Sequence, residues 1–324
     1  MDALTPCPPW LYAEAATLLA AADKQRLHHA LLITGVDGIG KRAFCQWLAE
    51  ALLCTERGDK GACGECPACR QLLADAHPDY LPVHPEGANA GIKIDTVRAL
   101  LDWLQLTAGQ KSYRVALLIE ANGLNRHAAN SLLKTLEEPA DNAVLILCAE
   151  RIGALPATVR SRCQKITLTM GDRQAAIDWL AAHHEQPEQA FLESRDRPFA
   201  AIRQQDEEYQ EAQKLMRAAW TDLFLHKGSV GRIADSLAKL ETTFCLATFA
   251  SWCVLAVKRG NQVPIGVNSA VNLAISETQD RLKYEQWFTL HDRLLQLHRA
   301  DSASFKTQTV LEGIFADIRI MING

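Results

Sequence analysis

The sequence has no excess of basic charge: 34 lysines and arginines stand against 38 aspartates and glutamates, a formal net charge of -4 over 324 residues. A protein that grips phosphate backbones unaided over a broad face needs clustered cations, so the charge balance argues against that mode of binding, and any DNA contact is expected to be local or shared with partners. Aromatic residues are few, at 6%. The tryptophans (Trp10, Trp47, Trp103, Trp179, Trp220, Trp252 and Trp287) are dispersed as core residues are, which argues against a base-stacking platform. There is no long hydrophobic run; the most apolar stretch, Phe244 to Val257, includes Thr248 and Ser251 and is too short to span a bilayer. Met1-Asp2-Ala3 lacks the basic lead of a secretory signal, and the apolar stretch after it is broken by Glu14 and Asp23. These absences predict a cytoplasmic protein with no membrane association. In that setting the ten cysteines are expected to be reduced or metal-bound rather than paired.

What is present is ordinary globular composition, 48% hydrophobic and 22% charged, in a chain long enough for two or three domains. Between residues 30 and 168, short β-type runs (Ala30 to Thr34, Val115 to Ile119, Val144 to Cys148, Ile166 to Leu168) alternate with helical spacing. Phe44, Trp47, Leu48, Ala51 and Leu52 share one helix face, and Val97, Leu100, Leu101 and Leu104 another. That alternation predicts an α/β domain with a parallel sheet over residues 1–168. Strand signals then stop. Asp172 is a candidate cap for a helix carrying Ile177, Trp179 and Leu180, a break falls near Asp196-Arg197-Pro198, and everything after about residue 204 is helical in pattern. A small helical domain over 169–203 and an all-α domain over 204–324 are therefore expected. There is no internal repeat.

Gly35-Val36-Asp37-Gly38-Ile39-Gly40-Lys41-Arg42 follows the first strand and opens a helix, the context that a phosphate-binding loop requires. Gly35, Gly38 and Gly40 let backbone N–H groups face a phosphate, the helix N-terminus adds positive potential, and Lys41 can reach the outer phosphates. The pattern is nevertheless degenerate, because the hydroxyl that should follow the lysine to hold Mg²⁺ is replaced by Arg42, and a guanidinium coordinates no cation. The strand Val115 to Ile119 ends in the single carboxylate of Glu120 instead of an acidic pair. No productive Mg²⁺ site is expected, and hydrolysis should be very weak even where ATP binds.

Cys54, Cys63, Cys66 and Cys69 put four thiols into a segment that turns through Gly58, Gly61, Gly64 and Pro67. Four thiolates on a tightly turning backbone suit tetrahedral zinc and leave no open coordination position, so a structural zinc module over residues 54–69 is expected. Reduced thiols and an iron–sulfur cluster are the alternatives. Cys7, Cys45, Cys148, Cys163, Cys245 and Cys253 are scattered and expected to be small buried residues.

A cysteine module placed after the phosphate-loop helix resembles the bacterial clamp-loader ATPases, the AAA+ family of polymerase III gamma/tau and delta-prime subunits. Three further stretches carry the resemblance: His77-Pro78-Asp79-Tyr80, Asn130-Ser131-Leu132-Leu133-Lys134-Thr135-Leu136-Glu137-Glu138-Pro139, and Thr158-Val159-Arg160-Ser161-Arg162-Cys163. They lie in the first half of the chain; the helical remainder matches only in length and character. In the register of these motifs Glu120 stands where motor subunits carry a catalytic glutamate, and Ile119 where they carry the Mg²⁺-binding aspartate. That pattern is similar to the members lacking ATPase activity, although the retained Gly40-Lys41 leaves nucleotide binding open. The resemblance implies that Arg162 of the Ser-Arg-Cys motif is an arginine finger acting in trans on ATP held by the next subunit. Such a charge is worth roughly 10³ to 10⁵ in rate, whereas an isolated arginine would be read as a surface ion pair. It implies as partners gamma/tau and delta in a hetero-pentameric ring, and, through that complex, the sliding clamp and primer-template DNA. Lys134, Glu137 and Glu138 are expected to form a solvated helix end paired within itself, with an added interface role. Two other readings stay open: an active motor ATPase of the same fold, and a zinc-bearing nucleic-acid-binding module that works without ATP.

Overall fold

The computed structural model describes residues 3–85, 92–106, 113–263, 269–299 and 306–323. The apolar runs become strands β1 (Ala30–Gly35), β3 (Arg114–Leu118) and β4 (Ala143–Cys148), each buried along its whole length. Burial on both faces is what a parallel sheet covered by helices demands, and it explains why these segments are apolar apart from Thr34 and Arg114 rather than alternating. β2 (Tyr80–Val83) and β5 (Gln164–Leu168) are more exposed and close the two edges. All pairings are parallel, in the order β2-β3-β4-β1-β5. Pro82 is tolerated because β2 is an edge strand, where one N–H fewer breaks no inner ladder.

One face of the sheet is covered by α4 (Ile94–Leu104) and α5 (Arg126–Glu137). Val97, Leu100 and Leu104 from α4, and Leu132 and Leu136 from α5, close over Ala116, Leu118, Leu145 and Leu147. On α2 (Lys41–Leu53), Phe44, Leu48 and Leu52 are buried, and this helix packs on β3 and β4. An earlier helix, α1 (Tyr12–Asp23), packs beside α2. The short α3 (Pro67–Leu73) starts inside the cysteine segment, and α6 (Ala157–Arg160) leads into β5. After β5, Asp172 caps α7 (Arg173–Ala181) by accepting from Ala175 N–H at 3.0 Å. β1 lies between β4 and β5, so the chain crosses from one side of β1 to the other, and the loop after β1 sits at the switch point where α/β sheets bind ligands.

The chain divides into two compact units, Met1–Phe191 with Asp196–Ala201, and Leu192–Arg195 with Ile202–Gly324. Two short helices, α8 (Pro187–Glu193) and α9 (Pro198–Arg203), lie where the division falls. The second unit is helical among its described residues, with α10 (Glu207–Phe224), α11 (Val230–Ser236), α12 (Thr242–Gly260), α13 (Ser269–Thr278), α14 (Tyr284–Arg299) and α15 (Thr307–Asn323). Trp220 is its centre. The indole stacks on Phe249 at 5.6 Å and Trp287 at 5.8 Å between ring centroids, and its N–H donates to the Thr278 hydroxyl at 2.8 Å. A buried indole with a satisfied N–H is a core anchor. Among the described residues no helix is long and apolar enough to cross a membrane.

Candidate functional site

The glycine loop is reached directly from β1 and runs into α2, with left-handed φ of 81° at Gly38 and 97° at Gly40. Its own chain occupies the space around it. The Trp10 indole N–H donates to the Ile39 carbonyl at 2.9 Å, and the Phe199 N–H donates to the Gly38 carbonyl at 3.0 Å. A Cβ on Gly38 would lie 2.7 Å from the Ala200 Cβ, and one on Gly40 would lie 2.8 Å from the Phe199 ring. Trp10, Trp179 and Phe199 form one aromatic cluster, with ring centroids 5.0 to 5.9 Å apart. Lys41 turns back, its Nζ donating to the Val36 carbonyl of the same loop at 3.0 Å. Arg42 is exposed.

The other positions of the degenerate centre gather beside this loop, at the carboxyl ends of β2, β3 and β4. Ile119 is buried. Glu120 is exposed and takes left-handed backbone angles, φ 56° and ψ 46°, which costs a residue with a Cβ about 1–2 kcal/mol. Cys148, at the end of β4, is buried close to Cys45 and to the Glu120 backbone. Its neighbour Cys45, aided by the charge of Lys41, pulls the Cys148 thiol down against its burial, while burial pushes Cys45 well up. His84, just past β2, has its pKa lowered by burial and by the Arg42 cation, with Glu120 opposing. Arg42, Glu120 and His84 thus share one neighbourhood, and Arg42 supplies a fixed positive charge where the loop pattern calls for a hydroxyl.

The four cysteines of the segment after α2 come together: their sulfurs all lie within 4.8 Å of one another. Cys54 and Cys66 are 3.8 Å apart and Cys63 and Cys69 3.9 Å, far beyond the ~2.05 Å of a disulfide bond. Backbone N–H groups of Cys63, Cys66 and Cys69 point at the sulfurs of Cys54, Cys63 and Cys66 at 3.3, 3.4 and 3.4 Å. Amide donors of this kind stabilise thiolates, and four converging thiolates repel unless a cation lies among them, so the cluster can hold a metal ion. The segment is docked on α2 by Trp47, whose indole N–H donates to the Lys60 carbonyl at 3.0 Å. The remaining cysteines, Cys7, Cys45, Cys148, Cys163, Cys245 and Cys253, are all buried.

The His77-Pro78-Asp79-Tyr80 stretch forms a turn at the head of β2. Asp79 is buried against Arg114 of β3, with Oδ1 and Nη2 2.6 Å apart, and Arg114 donates to the Trp103 carbonyl at 3.0 Å. The guanidinium carbon also lies 4.8 Å from the Trp103 ring centroid. The motif is therefore a structural clasp between the sheet edge and α4.

Arg162 sits at the end of α6, just before β5, with its side chain 36% exposed. Its Nη1 donates to the Thr158 carbonyl at 3.0 Å and to the Ser161 hydroxyl at 3.3 Å, and its Nη2 lies 2.5 Å from Glu137 Oε1. Glu137 is thus paired across to α6 rather than within its own helix, a partnership that sequence spacing did not reveal. It places a cation at the C-terminal end of α5, where two successive carboxylates, Glu137 and Glu138, face the negative pole of the helix.

A glycine loop between a buried strand and a helix, at the switch point of a five-stranded parallel sheet, defines a phosphate-loop α/β protein. A family model described as DNA polymerase III, delta subunit, matches residues 13–171. The delta-prime subunit of DNA polymerase III from Pseudomonas aeruginosa is 40% identical over 186 residues, 57% of this chain and 56% of that protein. The one from Haemophilus influenzae is 33% identical over 223 residues, 67% of each. The tau subunit of Escherichia coli is 34% identical over 143 residues, 44% of this chain and 22% of that subunit. The chain belongs to the family of DNA polymerase III delta-prime subunits. The matched stretch covers little more than half the length of the Pseudomonas relative.

Proposed function

We propose that this chain is a clamp-loader subunit that does not hydrolyse ATP productively and instead lends Arg162 to the ATP site of a neighbouring subunit. The observation that carries the reading is the altered centre beside the loop. Arg42 and Ile119 stand at the two metal-holding positions, Lys41 is turned onto the Val36 carbonyl, and Trp10 and Phe199 bind the loop carbonyls. Without a fixed Mg²⁺ between the phosphates, the charge that develops in phosphoryl transfer has no stabiliser on this chain. Arg162 is a permanently charged planar fork at a half-exposed helix end, suited to phosphoryl oxygens presented from outside.

In this reading residues 1–168 form an AAA+-type domain, 169–203 its helical lid, and 204–324 the collar that joins a hetero-pentameric cytoplasmic ring with gamma/tau and delta. The ring would place the sliding clamp on primer-template DNA. The cysteine cluster would hold structural zinc. Zn–S bonds of ~2.3 Å in a tetrahedron imply sulfur–sulfur edges of about 3.8 Å, which the Cys54–Cys66 and Cys63–Cys69 separations of 3.8 and 3.9 Å fit.

The test is reconstitution with gamma/tau and delta. Arg162→Ala should slow hydrolysis at the site it faces by roughly 10³ to 10⁵, seen as a DNA-stimulated single-turnover burst that lacks one site's amplitude, with assembly intact. An undiminished burst rejects the assignment. Mg²⁺-dependent turnover by the isolated chain would establish the motor-ATPase reading instead.

A further inference from the structure

We propose that Glu137 is a latch for Arg162: it parks the guanidinium on this subunit's own surface and releases it only against a stronger anion in the neighbouring site. This rests on the trans-acting role proposed for Arg162 and adds a second residue to it. The geometry is a competition for donors. Both terminal nitrogens of Arg162 are engaged by their own domain, Nη1 with the Thr158 carbonyl and the Ser161 hydroxyl, and Nη2 with the Glu137 carboxylate at 2.5 Å. A finger that reaches across a boundary has to present those same nitrogens to phosphoryl oxygens, so engagement breaks the Nη2–Glu137 pair.

The exchange costs little because the pair is not buried. The two side chains are 36% and 53% exposed, and ion pairs in such settings are worth ~0.2–1 kcal/mol. A nucleotide triphosphate carries several negative charges and a carboxylate one, so a filled neighbouring site wins the guanidinium and an empty one does not. The return is built into α5. Glu137 ends that helix, with Glu138 beside it, where the backbone carbonyls already concentrate negative potential. Departure of Arg162 leaves the Glu137 carboxylate without its ion-pair partner, with Lys134 the remaining cation of that last turn, and its return restores the balance once nucleotide leaves. The latched fraction therefore lowers the apparent affinity of the neighbouring site for ATP without entering the transition state.

The test uses the reconstituted complex with Glu137→Gln, which keeps the side-chain shape and removes the charge. The ATP concentration for half-maximal hydrolysis should fall by about 1.4- to fivefold, the factor that corresponds to ~0.2–1 kcal/mol. The change should fall on that concentration rather than on the plateau rate. In an Arg162→Ala background the same substitution should change nothing, which a merely structural role for Glu137 would not produce. An unshifted half-saturation, or a shift that persists without Arg162, overturns the latch while leaving the finger in place. A complex indifferent to Arg162→Ala overturns both.

Discussion

Replacing Asp79 with alanine probes the clasp at the sheet edge. Asp79 is 4% exposed and Arg114 8%, and their 2.6 Å contact is supported by the Arg114 bond to the Trp103 carbonyl and by the Trp103 ring. Removing one member of such a pair leaves a guanidinium in a poorly solvated site without its carboxylate, a change that costs about 3–5 kcal/mol. The Trp103 ring retains part of the stabilisation, about 1–2 kcal/mol for a desolvated cation over an aromatic face, so the loss should lie near ~3 kcal/mol. For a unit of this size each kcal/mol moves the midpoint by about 2–4 °C, so Asp79→Ala should lower the melting temperature by roughly 6–12 °C. Urea titration followed by tryptophan fluorescence, with Trp103 as a local reporter, measures the same loss as a shift in midpoint at constant slope. The decisive comparison is a double substitution, Asp79→Leu with Arg114→Met, which removes both charges and preserves bulk. It should recover most of the stability. A single variant within ~0.5 kcal/mol of the parent, or a double variant as weak as the single one, would show that charge pairing is not what holds this turn.

Stripping metal with a strong chelator should release about one zinc per chain and loosen the segment between Cys54 and Cys69, read as a change in the fluorescence of Trp47, which donates to Lys60 in that segment. Unaltered fluorescence after complete metal loss would separate the cluster from the local fold. Glu50 gives a pH signature. It is buried where it accepts from the Thr5 N–H at 2.8 Å and the Thr5 hydroxyl at 3.0 Å, and burial outweighs those bonds to raise its pKa above 4.5. A carboxyl whose folded pKa is raised is protonated more readily in the native state, so it disfavours folding once ionised. Its contribution to stability should therefore decline as pH rises from the unfolded value through the raised one, and Glu50→Gln should flatten that segment of a stability-versus-pH curve. An unchanged slope would mean that another group governs it.

The parts of the fold visible in sequence were those with an unbroken apolar run or a helical period. Buried strands β1, β3 and β4 are apolar runs but for Thr34 and Arg114, and the helix α5 shows its inner face as Ala128, Ala129, Leu132, Leu133 and Leu136, of which Leu133 is only partly buried. β2 was not visible because four residues containing Pro82, at a half-exposed edge, have neither length nor alternation. The cysteine cluster was legible since its members are near neighbours in the chain, and local turns suffice to close it. The contacts that surround the loop and Arg162 were not. Phe199 reaches Gly38, and Arg162 reaches Glu137, across long intervals of chain, and only the assembled α/β unit brings them together. Glu137 followed by Glu138, with Lys134 one turn earlier, satisfies a within-helix pairing pattern equally well, so spacing alone pointed to the wrong partner.

The crowding at Gly38 and Gly40 has a bearing on how such loops should be interpreted. A methyl group on either would collide with Ala200 or Phe199, and both backbones are in a conformation that side chains resist. Steric necessity alone thus accounts for glycine at both positions of a fingerprint that is commonly equated with mononucleotide recognition. In this chain the two glycines answer to Ala200 and the Phe199 ring packed against the loop, and whether the loop supports chemistry is decided by the residues that would touch the ion.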